Sequence, residues 1–236
     1  MAELFDIRSI MLLGCSMVNH SEKSKPPHFW EGQMLHIVSL IVLLTAAALV
    51  WTSLGNPHSQ AFWIAISFPI LHQVWVWTTW RIELQTSIVS RSIGFNVYLL
   101  VFALLFVGRL LSLAWLALQD RGSLNLDLTI LVPVTFIVLL PGLYAMFSVA
   151  RYFGIARAAG ADHFNYSYRE LPLVKEGIFR YTDNGMYVFA FLLFWAVAIG
   201  FNSISALVVA AFSHAYIWVH YYSTEKPDMD YLYGGR

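Results

Sequence analysis

Apolar residues along this chain gather into long runs almost free of acids and bases, at about 33–53, 61–80, 94–118, 128–149, 186–201 and 204–222. A helix crossing the roughly 30 Å hydrocarbon layer needs about 20 predominantly apolar residues. The pattern therefore predicts an all-α, polytopic membrane protein with about six transmembrane helices. The fifth run is the shortest, and only Asn202 and Ser203 separate it from the sixth, which predicts a tight helical hairpin. Gly55-Asn56-Pro57 and Asp120-Arg121-Gly122 carry the turn chemistry expected of two other connections. Pro133 and Pro141-Gly142 predict kinks in the fourth span.

Orientation follows from the bases, because cytoplasmic loops retain Lys and Arg. With six spans and the N-terminus inside, Arg121 alone of the fourteen basic residues falls on the outer side and Arg109 lies within the third span. The other twelve are inside, so both termini are expected to be cytoplasmic. The division that results is a single integral-membrane domain over 1–236. It comprises a cytoplasmic or interfacial segment 1–32, a four-span part 33–149, and a part 150–236 in which a cytoplasmic loop, the hairpin and the C-terminal tail form the catalytic region.

Composition agrees with the membrane reading and removes several functions. Hydrophobic residues make up 58% and charged residues 12% of the chain, about half the charge of a soluble domain. The formal net charge is zero, which leaves no field to collect nucleic acid. The single cysteine, Cys15, excludes an internal disulfide or a thiolate metal site. The run Leu12-Leu13-Gly14-Cys15 loosely resembles a lipoprotein cleavage site, but Glu3 and Asp6 spoil the basic leader, and a short interfacial helix is the better expectation. Eight histidines show none of the clustered spacing that a membrane diiron enzyme needs, and a haem held by His72 and His214 is less favoured than two satisfied core side chains. No metal site is expected.

Candidate chemistry concentrates near the last span. Helical spacing places His214, Trp218, Tyr221 and Glu225 in a stripe roughly 60° wide, and polar groups within lipid should face the bundle interior. Pro227 should break the helix just after Glu225, leaving Asp228 and Asp230 in the first turn of a short terminal helix. His72, Val76, Thr79 and Glu83 share a face of the second span in the same way. Arg109, deep in the third span, must snorkel, pair or reach a wet cavity, and a structural tie is the expectation. The loop of about 150–185 is too rich in aromatic residues for a linker and can enclose a polar pocket against the end of the sixth span.

The run Leu173-Val174-Lys175-Glu176-Gly177-Ile178-Phe179-Arg180, the turn ending in Tyr187, the hairpin, Glu225-Lys226-Pro227-Asp228-Met229 and Tyr233-Gly234 together resemble the integral-membrane methyltransferases. That superfamily includes phospholipid N-methyltransferases and isoprenylcysteine carboxyl methyltransferases, and the Glu-x-Pro ending with its terminal Tyr-Gly is more similar to the phospholipid branch. The resemblance covers residues 140–234 and implies that the two motifs enclose S-adenosylmethionine at the cytoplasmic face, with lipid arriving sideways between helices. It implies cofactor-binding roles for Gly177, Asn184, Gly185, Tyr187, His214, Trp218, Tyr221 and Glu225. The family's Arg-His-Pro is replaced here by Asp183-Asn184-Gly185, and Lys226 stands where many members have a second acid.

The implied reaction is methyl transfer from S-adenosylmethionine to a lipid-like acceptor, the amine of an ethanolamine phospholipid being favoured. Arg180, His163 and His220 are the catalytic candidates. Each could supply a cation in place of the missing pair, and either histidine or Glu225 could accept the amine's proton. Two rivals are a non-catalytic membrane protein, either an accessory subunit or a degenerate methyltransferase relative, motivated by the lost Arg-His, and a nicotinamide-dependent lipid reductase of related fold.

Overall fold

The computed structural model describes residues 25–55 and 57–234. The interfacial helix expected around Cys15 lies outside them, as do Arg8, Lys23 and Arg236. Within them the chain is helical, with no strand. Five helices are long and apolar enough to cross a membrane: α1 (Gln33–Ser53), α2 (Ser59–Thr86), α3 (Gly94–Gln119), α4 (Leu128–Phe153) and the long C-terminal helix Ile204–Tyr233. The last comprises α6 (Ile204–His220), a π-helical turn and α7 (Lys226–Tyr233).

The expected fifth span is a shorter apolar helix, Met186–Gly200, whose regular part is α5 (Leu192–Gly200). At 1.5 Å per residue it reaches roughly 22 Å, less than a hydrocarbon layer. It nevertheless runs the depth of the bundle. At its far end, Asn202 takes up a left-handed φ of 58° and its side-chain amide exchanges hydrogen bonds of 3.1 and 3.0 Å with the backbone of Leu126. The predicted hairpin turn is therefore present, pinned to the α3–α4 connection.

Ser203 caps α6 through Ala206 N, and the buried Asp120 completes the cap by accepting from Ser203 Oγ and Ser205 N, each at 2.8 Å. A carboxylate at a helix N-terminus suits both the free amides and the dipole. It ties the end of α3 to the start of α6.

α6 is the hub, packed on α1, α2, α3 and α5, while α4 lies outside α5. The apolar core joins Phe62 and Ile66 of α2, Leu113 and Leu116 of α3, and Val209 and Tyr216 of α6, all essentially solvent-free. The outward faces of α1, α3 and α4 expose Leu, Ile, Val and Phe, as a lipid-facing surface would. The face predicted for α2 is buried as a unit, with His72, Val76, Thr79 and Glu83 all inside. α4 continues through Pro133 and Pro141, and Gly142 gives Leu193 close access, since a Cβ there would meet the leucine Cδ2 at 2.9 Å.

Pro227 does not break the chain as expected. Lys226 stays helical at φ −58° and ψ −48°, and the preceding Tyr221–Glu225 forms the π-helical turn. Proline removes the N–H that would bond the carbonyl of Ser223. That carbonyl accepts from Gln33 Nε2 at 3.4 Å, the same amide that bonds Thr224 Oγ1 at 3.1 Å. The helix therefore widens rather than stops. Two further π-helical turns, Val149–Phe153 and Met186–Ala190, lie at the same end of the bundle. Such turns are frequent at functional sites.

Candidate functional site

The 154–185 loop folds back over this end in three short helices, Ile155–Ala158, Ala161–Phe164 and Tyr166–Arg169, followed by a 3₁₀ turn at Gly177–Arg180. Between the loop and α7 lies a cavity of about 580 Å³. A second cavity, of about 330 Å³, lies between the helices. Both volumes suit small-molecule ligands. Trp80, Ala158, Met186, Tyr187 and Glu225 line both, so these five residues form a common wall.

The first cavity is polar at several points. Arg157, Asp162, Asp183, Glu225 and Asp230 contribute charge, and Trp80, Phe153, Phe179, Tyr187 and Tyr233 contribute rings. Arg157 is buried, donates from NH1 to the Pro172 carbonyl at 2.9 Å, and lies 5.0 Å from the Phe153 ring centre. Tyr187 donates its hydroxyl proton to Glu225 Oε2. No hydrogen bond to Oε1 is made among the described residues, which leaves that oxygen for a ligand.

A buried ionic network supports the wall from behind. Arg81 Nε lies 3.0 Å from Asp228 Oδ1, and His163 Nε2 lies 3.4 Å from Asp228 Oδ2. These are ion contacts whose angles fall short of good hydrogen bonds. His163 Nδ1 bonds Asp162 Oδ1 at 3.0 Å, and Asp162 Oδ2 accepts from Tyr233 at 2.8 Å. Burial alone would lower the His163 pKa, but Asp162 and Asp228 on its two nitrogens raise it to about 9. Burial likewise opposes ionisation of Asp162, yet bonding to His163 and Tyr233 holds its carboxyl below the usual range.

Trp80 stacks on the His163 ring at 3.9 Å, and its indole N–H donates to Tyr98 Oη at 2.8 Å. Gly160 permits this approach. Its φ is +84°, and a Cβ there would stand 2.2 Å from the Trp80 ring.

The second cavity is apolar over most of its surface, through Leu99, Phe102, Ala103, Phe106 and Val107. Val107 and Ile155 in its lining are also exposed on the outer face, so it opens sideways. At its deep end Arg109 donates from NH1 to His72 Nδ1 at 3.1 Å and lies 5.1 and 5.4 Å from the Phe191 and Phe194 ring centres. Arg109 thus pairs and reaches a cavity at once.

The predicted site residues sort by this geometry. Tyr187 and Glu225 line both cavities, and His220 lines the second. Trp218 and Tyr221 sit against the Tyr187 ring at 5.8 and 5.5 Å without reaching a cavity. His214 accepts from Trp195 Nε1 at 3.1 Å and stacks on Phe191. His163 lies behind the wall, and Arg180 is exposed on the 3₁₀ turn. Gly177 and Gly185 pack on Ser148 and Ile178, and Asn184 offers its carbonyl to Tyr187 N at 3.0 Å. Asp228 stands in the first turn of the terminal helix as expected, and it is fully buried because Arg81 from α2 reaches it.

Sequence reasoning passed over Arg157, Trp80, Gly160 and Asp162. Arg157 carried a weak signal as a base in the aromatic-rich loop of about 150–185, and nothing in the sequence pairs Trp80 with a glycine 80 positions later.

Fold and cavities together define a helical protein with five helices fit to cross a membrane and two adjoining cavities at one end of its bundle. Residues 130–236 match the family described as phospholipid methyltransferase. The match spans the whole stretch from Leu140 to Gly234 on which the resemblance rests. No curated protein and no solved structure matches the chain.

Proposed function

We propose that the protein transfers a methyl group from S-adenosylmethionine to a membrane amphiphile, the amine of an ethanolamine phospholipid being the favoured acceptor. The observation that carries this reading is the common wall. A chamber bordered by several charged groups under the loop, called the polar chamber by contrast, and an almost wholly apolar chamber open to the side meet at Tyr187, Glu225 and Trp80, as a soluble donor and a lipid acceptor would require.

The polar chamber's residues fit the cofactor. Arg157 suits its carboxylate, Oε1 of Glu225 its ammonium, and the rings of Trp80, Phe153 and Phe179 its adenine. The cofactor supplies an electrophilic methyl group on a sulfonium, which is already a good leaving group. The protein has then only to align the two ligands and exclude water. Tyr187 fixes the Glu225 carboxylate, and Gly160 lets Trp80 close one side. His220, buried in the acceptor chamber with Nδ1 unpartnered, takes the amine's proton. His163 is unsuited to that task because it already holds its proton between two carboxylates.

In this reading the helix Met186–Gly200 completes six crossings. Both termini and the 154–185 loop then face the cytoplasm, on the side that holds twelve of the fourteen bases. The whole chain acts as one membrane domain.

Incubation of purified protein with labelled S-adenosylmethionine and total membrane lipid tests the reaction. A labelled lipid amine is expected. Absence of label in folded protein that also fails to bind S-adenosylmethionine would refute the reading, and binding of a nicotinamide nucleotide instead would indicate reduction.

A further inference from the structure

The deep end of the apolar chamber holds polar atoms that the proposed reaction does not use. Arg109 is 2% exposed and its Nε and NH2 have no hydrogen-bond partner. Beside it, His72 Nε2 and Gln73 Nε2 are likewise buried and unpartnered. All three side chains line the cavity.

Each of these atoms is a donor. Arginine carries no acceptor, and the unpartnered atom of Gln73 is its amide nitrogen. His72 Nδ1 accepts from the guanidinium, which leaves the ring proton on Nε2. Arg109 Cζ lies over the Phe191 and Phe194 rings, whose π faces favour a cation but offer its N–H groups no oxygen acceptor.

Charge points the same way. Among the described residues no carboxylate lies within ion-pair distance of Arg109, and the only acid in the cavity lining is Glu225, on the common wall and bonded to Tyr187. An uncompensated cation with spare donors inside apolar walls is costly, and an anionic oxygen group would remove that cost.

We propose that the apolar chamber selects amphiphiles bearing an anionic oxygen group, which docks on Arg109, His72 and Gln73 while the chain leaves through the lateral opening beside Val107 and Ile155. The inference rests on reading this chamber as the acceptor site. The shared chemistry is a phosphate or carboxylate oxygen, and the two sources are a phospholipid headgroup and a carboxylic lipid.

Binding of labelled amphiphiles to the full chain in dodecyl maltoside, without S-adenosylmethionine, tests this separately from methyl transfer. The probes are oleoyl lysophosphatidic acid and oleate, with monoolein and methyl oleate as their uncharged counterparts. At least one anionic probe should bind about tenfold or more tightly than its counterpart. Preference for the phosphate probe identifies the headgroup source, and preference for oleate the carboxylic one. Arg109→Met should erase the preference while leaving monoolein and methyl oleate unchanged. If that variant does not fold, the wild-type comparison still decides, and Gln73→Leu should reduce the preference several-fold. Equal binding of charged and uncharged probes by the wild type would overturn the proposal even if the enzyme methylates lipid. A clear preference in a protein that transfers no methyl group would leave the chamber's selectivity standing and refute only the reaction.

Discussion

Tyr187 donates its phenolic proton to Glu225 across 38 positions of sequence, and this pair forms part of the wall between the polar and the apolar chamber. One residue stands in a π-helical turn at the start of the short hairpin helix, the other at the end of the π-helical turn that Pro227 induces. The widened turns bring the two side chains together at the junction.

Glu225→Gln should weaken S-adenosylmethionine binding by about 1.5 to 3 kcal/mol, roughly ten- to a hundredfold, because it removes a charge-assisted bond from a partly dry site. Asp230→Asn is the control. Although it borders the polar chamber, Asp230 is exposed and pairs with Lys226 at 2.7 Å, so its loss should cost less than about 1 kcal/mol of stability and leave affinity within a few-fold. Calorimetry on both variants checks the contrast, and similar small effects would place the ammonium elsewhere.

Breaking the buried Arg81–Asp228 contact from one side should be expensive. Asp228→Leu strands a guanidinium and removes one carboxylate from His163, with an expected loss of about 3–5 kcal/mol. Arg81→Met with Asp228→Leu should lose less than the sum of the two single changes. Thermal unfolding in detergent measures both, and strict additivity would show that the pair is uncoupled.

Stability should fall on the alkaline side through His163. Its pKa is raised from the usual 6.5 to about 9 in the folded protein, so its contribution is complete below about 6.5 and is lost as pH rises through 9. Asp162 behaves oppositely. Its carboxyl is held low, so its contribution is complete above the usual carboxylate range and fails only as pH falls through the folded value. The free energy of unfolding should decline by about 3 kcal/mol between pH 5.5 and 9.5, read as an unfolding temperature that falls toward the alkaline end. His163→Gln should flatten that limb, and a flat wild-type profile would contradict the network.

Gly160→Ala places a methyl group against the Trp80 ring in a left-handed backbone conformation. A stability loss of about 1–3 kcal/mol is expected, with displacement of the indole. Tryptophan fluorescence and cofactor affinity should change together; a shift in neither would show that the ring has room to yield.

With Cys15→Ser, a cysteine introduced by His58→Cys should react with a membrane-impermeant reagent only from the side opposite the 154–185 loop. Position 58 lies at the α1–α2 turn, the end of the bundle away from the cavities. Labelling from the cytoplasmic side alone would reverse the proposed orientation.

Hydrophobic runs determined five long helices and the hairpin, because a helix that meets lipid must be apolar along a fixed length and Asn202-Ser203 can only turn. Local periodicity also identified the buried face of α2 and placed Glu225 toward the interior. The length of the fifth helix was less legible, since an apolar run reports composition and not where the π-helical turn ends. Pro227 was read as a stop, whereas the tertiary structure supplied Gln33 as a substitute donor to Ser223 and let the helix continue. Asp228 was legible as a first-turn carboxylate of the terminal helix, but its burial was not. Only the arrival of Arg81 and His163 from distant segments makes its burial tolerable, and such charge pairing has no periodic signature. The two chambers were decided in the same way. Each is bounded by residues from segments far apart in the chain, brought together by packing that no local pattern encodes.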